Sequence, residues 1–193
     1  MGEEIAPTFS NYMNNLKFLL KEEYVQNYKN EIPFKFNEKV PFSVTWDELF
    51  LLVDEDIKEQ INTNQQYYNG NGFKLRKADR LEQIALVVDT LFEIFKPSKI
   101  AKNVRPSDAQ HIYINFTTHQ SLNNAPHIDK DHVFFWQLQG SCQWNIYDEN
   151  NEYIKYTYEL KPGDIIYCPK HRKHSVVSLS PRAGASIGFN SLK

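Results

Sequence analysis

Residues 161–176 read KPGDIIYCPKHRKHSV. Proline presets the first angle of a tight turn and glycine takes the angles that follow, so Pro162-Gly163 marks a sharp reversal. The apolar, β-prone run after it predicts a strand over Asp164–Cys168. Pro169 has no N–H to donate and ends that ladder. The basic turn Lys170-His171-Arg172-Lys173 then leads into a second strand over Ser175–Leu179. Its charges read as a solvated turn. The same pattern continues outward. Strands are predicted over His111–Thr117, His132–Leu138, Cys142–Tyr147, Ile154–Glu159 and Ala185–Phe189. Gly140, the polar stretch Asp148-Glu149-Asn150-Asn151 and Ser180-Pro181 separate several of them. Short strands at this spacing imply a sandwich or barrel.

The chain changes character near residue 105. Before it, the patterns are mostly helical. Phe9 to Tyr28 carries Met13, Leu16, Leu19, Leu20 and Tyr24 at helical spacing. Thr45-Trp46-Asp47-Glu48 is a capping box ahead of an apolar run. Asp79 is placed to cap a helix over Arg80 to Phe95, which Pro97 stops. Residues 65–73, QQYYNGNGF, read as a turn-rich surface loop. The expected organisation is a helical part, residues 1–104, packing on a β core, residues 105–193, as one structural unit.

Composition narrows the function classes. The 193 residues carry a formal charge of −2, which lacks the basic footprint of a nucleic-acid-binding domain. The two cysteines, Cys142 and Cys168, are too few for a disulfide framework. The N-terminus is acidic without an apolar stretch, and no apolar run reaches the ~20 residues of a membrane span. The expectation is a soluble, cytoplasmic protein with no membrane or nucleic-acid partner.

All six histidines fall between residues 111 and 174. In Pro126-His127-Ile128-Asp129, the histidine and the aspartate stand two apart, and in a strand such residues point to one side. An imidazole and a carboxylate presented together need one more ligand to make the two-histidine, one-carboxylate facial triad of non-haem iron(II) sites. In 161–176, Gly163, Pro169 and His174 match the second motif of the cupin family, which makes His174 the third candidate. His171 stands where that motif usually has glycine, and it is the alternative inward residue.

The stretch 112–148, IYINFTTHQSLNNAPHIDKDHVFFWQLQGSCQWNIYD, resembles the metal-binding core of Jumonji-type ribosomal oxygenases and their cupin-like relatives. The likeness lies in the order and spacing of Tyr113, His127, Asp129, Phe134, Gln137, Leu138, Gly140, Trp144 and Tyr147, and it runs from about 111 to 189. The resemblance implies a double-stranded β-helix, mainly β with flanking N-terminal helices, that uses Fe(II), 2-oxoglutarate and O2. It places His127, Asp129 and His174 on the metal, and Tyr113 and Ser186 on the 2-oxoglutarate carboxylate. Asn124 and Cys142 are further candidates for the pocket. The family's basic residue, two positions past the glycine of Gln-Leu-x-Gly, is replaced here by Cys142. Arg182 is the candidate to supply that charge, against a reading as an exposed turn residue, and Lys173 is a weaker one. Three functions stay open: a hydroxylase of a protein side chain, a small-molecule 2-oxoglutarate oxygenase, and a metal-binding cupin without oxygenase turnover. The prime substrate is not identified.

Overall fold

The computed structural model describes residues 16–63, 68–69, 72–95, 110–116, 118 and 125–189. Three α-helices, α1 (Glu22–Lys29), α2 (Trp46–Thr63) and α3 (Glu82–Phe95), accompany eleven strands among these residues. The strands are β1 (Phe34–Lys35), β2 (Tyr68–Asn69), β3 (Gly72–Arg76), β4 (Gln110–Asn115), β5 (His127–Ile128) and β6 (His132–Gln139), followed by β7 (Cys142–Tyr147), β8 (Ile154–Leu160), β9 (Ile165–Cys168), β10 (Lys173–Ser178) and β11 (Arg182–Phe189). They form a seven-stranded sheet in the order β1-β9-β6-β11-β4-β3-β2 and a four-stranded sheet in the order β5-β10-β7-β8. Every pairing is antiparallel. From β6 onward the chain passes back and forth between the sheets. This is a double-stranded β-helix.

Period-two alternation divides the interior. In β6, Phe134, Trp136 and Leu138 face the helices, while Val133 and Phe135 face the small sheet. The helix-side layer is rich in aromatic rings, with Phe95 on Phe134 at 4.9 Å and Phe92 on Phe189 at 5.9 Å. The inter-sheet layer is smaller: Val133, Phe135, Trp144, Ile146, Ile166 and Val176 among others. It stops short of filling the space between the sheets, and the site lies there.

All seven strands expected in the second half are present. Cys142–Tyr147 has the expected ends, and β11 begins three residues early, at Arg182. The first half departs from expectation. Residues 72–76, with 68–69, pair as strands on the edge of the large sheet instead of forming only a loop. Phe34–Lys35 adds a strand at the opposite edge. The part before residue 105 is therefore not purely helical; it contributes three strands to the barrel. The expected boundary at 104/105 lies outside the described residues.

The helix expected over Phe9–Tyr28 is, in its described part, a 3-10 turn (Lys17–Leu20) and then α1, separated by Lys21 in an extended conformation. The capping box forms: Glu48 N–H donates to Thr45 Oγ1 at 3.2 Å, and Thr45 N–H donates to Glu48 Oε2 at 2.6 Å. Asp79 does not cap α3. It lies within a second 3-10 turn, Ala78–Arg80, entered through Lys77 at φ 53°, and α3 starts at Glu82. No described helix is long and apolar enough to cross a membrane.

Candidate metal centre

A two-residue strand carries the first ligand candidate. β5 pairs with the start of β10 so that His127 lies directly opposite His174, with ring centroids 4.2 Å apart. Asp129 follows β5 immediately. Its Oδ2 is 3.5 Å from His174 Nε2 and 3.9 Å from His127 Nε2. One donor atom from each of the three residues lies within 4.8 Å of the others. Donors on one face of a metal, with bonds of about 2.1 Å at right angles, stand about 3 Å apart, so small side-chain rotations close this triangle.

Both imidazoles are held in the tautomer that a metal requires. His127 Nδ1 lies 2.8 Å from the carbonyl of Ala125, and His174 Nδ1 lies 3.0 Å from that of Arg172. A carbonyl only accepts, so each Nδ1 carries a hydrogen, which leaves Nε2 as the nitrogen available to a metal. His174 is almost wholly buried, and Trp144 stacks on it at 5.0 Å with 13° between the planes. Burial, and then the neighbouring His127 ring, hold its pKa below the ordinary histidine value, which favours the neutral ligand.

The turn before His174 explains the histidine in the motif's glycine position. His171 adopts φ 57°, the left-handed angle that glycine usually supplies, and it points to solvent; His174 is the inward residue. Three hydrogen bonds hold this angle. The N–H of His171 donates to the backbone carbonyl of Asp129 at 2.8 Å, tying the turn to the candidate carboxylate. From the β7–β8 hairpin, Asn151 accepts from the N–H of Lys173 at 2.7 Å and donates to the carbonyl of His171 at 3.3 Å. Arg172 is not solvated as expected. It is 9% exposed, and its guanidinium reaches Glu149 and the carbonyl of Glu31.

A pocket of about 220 Å³ opens from the triad between the sheets. Val133, Phe135, Trp144 and Val176 form its apolar wall, and Tyr113, Arg182 and Ser186 contribute polar groups. Register sets those three. Arg182, Gly184 and Ser186 share one face of β11, and Tyr113 of β4 pairs with Gly184. A Cβ on Gly184 would stand 2.1 Å from the Phe135 ring, so only glycine lets that ring pack over β11. Burial, and then the charge of Asp129, push the Tyr113 hydroxyl up to about 12, so it is a donor at neutral pH.

Arg182 is 2% exposed and therefore not the exposed turn residue of the alternative reading. Its Nε donates to Ser178 Oγ at 2.9 Å, and its guanidinium lies over the Phe135 ring at 5.8 Å. Cys142 does not line the pocket. It is fully buried, and its thiol donates to Gln137 Oε1 at 3.1 Å. Burial pushes that thiol up to about 11, so it carries no charge. Lys173 lies over the ring of Tyr147 at 4.6 Å, away from the pocket lining. Asn124 lies outside the described residues. The clamp by Asn151 and the wall residues Val133, Phe135 and Val176 escaped the sequence reading, whereas Trp144 was flagged by the motif.

Residues 93–193, just over half of the chain, match the JmjC domain. The chain belongs to the JmjC-domain family. Among solved structures, this JmjC domain resembles the Escherichia coli ribosomal oxygenase YcfD, with a TM-score of 0.59 at 17% identity over 90% of this chain and 53% of that one. A second structure of YcfD, in complex with cobalt and succinic acid, gives a TM-score of 0.58 at 16% identity over the same shares. At that identity the likeness shows the fold, and the chain spans about half the length of these solved relatives. No curated protein matches it in sequence.

Proposed function

We propose that this JmjC domain is an iron(II)- and 2-oxoglutarate-dependent oxygenase that hydroxylates an unactivated C–H bond. The observation that carries the reading is the content of one pocket: two imidazoles and a carboxylate converge with a buried arginine. A metal alone gives no role to Arg182. A dicarboxylate bound to the metal by one end needs a cation for the other once water is removed. The relative YcfD has been solved with cobalt and succinic acid, which fits the same pair of demands.

His127, Asp129 and His174 would hold the iron on one face and leave the remaining positions open. Iron and 2-oxoglutarate supply the oxidising chemistry, in which O2 is consumed, 2-oxoglutarate becomes succinate and carbon dioxide, and a C–H bond becomes C–OH. The chain's part is to hold, orient and exclude water. Arg182 receives the far carboxylate as a charge-assisted pair. Tyr113 and Ser186 offer hydroxyl donors beside it, and the Val133, Phe135, Trp144 and Val176 wall keeps water from the chelated end. The carbonyls of Ala125 and Arg172 keep both imidazoles turned to the metal.

Anaerobic addition of iron(II) and 2-oxoglutarate should produce a weak visible charge-transfer absorption, absent in Asp129→Ala, and air should then yield succinate. Tight iron binding with neither absorption nor succinate would instead identify a metal-binding cupin without turnover.

A further inference from the structure

The large sheet continues past β4 through β3 and β2, whereas the small sheet ends at the two-residue β5 that carries His127. β3 is thus an extension of the pocket's floor beyond its mouth. Antiparallel partners share a face, and Lys74 of β3 pairs with Tyr113, which lines the pocket. The ammonium of Lys74 reaches over the Tyr113 ring, 5.4 Å from its centroid. Lys74 is half-buried, and among the described residues no carboxylate comes within 4.0 Å of its Nζ. Burial, and then the neighbouring Arg76, lower its pKa, while the charge of Asp129 opposes them. A half-buried cation beside a second cation is an unfavourable arrangement that an incoming anion would relieve.

Charge balance assigns that anion to a third molecule. This step rests on the oxygenase reading above. The divalent metal and Arg182 together offset Asp129 and both carboxylates of 2-oxoglutarate. The filled inner pocket is neutral, and Lys74 is left over at its entrance. We propose that Lys74 is the substrate-recognition residue of this site and that the prime substrate bears an anionic group, a carboxylate or a phosphate, which Lys74 receives at the pocket mouth.

Inorganic phosphate is the probe. With cobalt(II) in the metal site and 2-oxoglutarate at saturation, the phosphorus resonance of phosphate should broaden paramagnetically. Lys74→Gln should reduce that broadening about tenfold, and Lys74→Arg should restore most of it. The affinity for 2-oxoglutarate, followed separately by the anaerobic absorption of the iron form, should stay unchanged in both variants. Equal broadening in wild type and Lys74→Gln overturns the proposal, as does broadening that saturating 2-oxoglutarate abolishes, because phosphate then sits on the metal or on Arg182. Failure of the wild type to bind 2-oxoglutarate overturns the oxygenase reading itself, and it appears in the absorption measurement before phosphate is added.

Discussion

Replacing Arg182 by glutamine removes the charge and keeps a shorter polar side chain, whose amide nitrogen ends about where the arginine Nε lies. The guanidinium is 2% exposed and already anchored through Nε on Ser178. Its remaining N–H groups are therefore pre-organised, and little side-chain entropy is lost on engaging a carboxylate. Truncating one partner of a buried, hydrogen-bonded charge pair costs about 2–5 kcal/mol. The mouth of this pocket is open, with the His127 and Asp129 side chains each 41% exposed, so water screens part of the interaction and the lower end applies. A loss of about 2–3 kcal/mol corresponds to roughly a 30- to 150-fold weaker 2-oxoglutarate affinity. Anaerobic titration of 2-oxoglutarate into the iron-loaded variant measures it. Iron affinity should stay near wild type, because Arg182 is not one of the three grouped donors. Arg182→Lys keeps the charge but loses the planar fork, and it should fall between the two. A folded Arg182→Gln protein that binds 2-oxoglutarate within threefold of wild type would refute the assignment of this residue to the co-substrate.

The hairpin clamp and a buried histidine give two further tests. Asn151 itself has φ 63°, so Asn151→Gly tests its side chain without adding backbone strain; metal affinity, measured by chelator competition, should fall about tenfold, and Asn151→Asp should retain most of it through the acceptor to Lys173. His132, bonded to Tyr167 at 2.8 Å and held down to about 4 by burial, binds its proton in the unfolded chain near 6.5 but in the native state only near 4. The unfolded state therefore holds more protons in that window, and stability falls as pH drops from about 6.5 to 4, by up to ~3 kcal/mol from this residue. His174 adds to the same limb. Urea unfolding of the metal-free protein at pH 7 and pH 5 should show the loss, and His132→Gln should shrink it; equal pH slopes in the two proteins would remove His132 as its source.

The second half was legible because its strands are buried on alternating faces between turns with a stated mechanism. Cys142–Tyr147 alternates inward Cys142, Trp144 and Ile146 with outward polar residues, and its ends fall where Gly140 and Asp148 place them. β3 offered no such pattern. Its strand state comes from pairing with β4, so closely that a Cβ on Gly72 would stand 1.9 Å from the carbonyl oxygen of Ile114. That is a long-range fact with no local signature. The same holds for β1, which is two residues long and exists because β9 is beside it. In the site, the triad was legible from spacing and resemblance. The burial of Arg182 was not, since Ser180-Pro181-Arg182 reads as an exposed turn. The clamp by Asn151 was hidden for a related reason. A polar hairpin residue is ordinary in sequence, and only the fold brings it against a turn twenty residues away.

Cys142 and Arg182 are best understood together. Cys142 pairs across β7 and β10 with Ser178, and Ser178 accepts the hydrogen bond from Arg182 Nε. The guanidinium of β11 thus reaches across to the small sheet beside the position where the family's basic side chain would start. Two guanidinium or ammonium groups placed there would repel in a poorly screened interior, and each would be costly to bury. A neutral thiol at 142, bonded to Gln137, leaves the charge to Arg182 alone. The missing basic residue at position 142 is consequently no argument against a dicarboxylate co-substrate. The pocket keeps one buried cation, delivered from the opposite sheet.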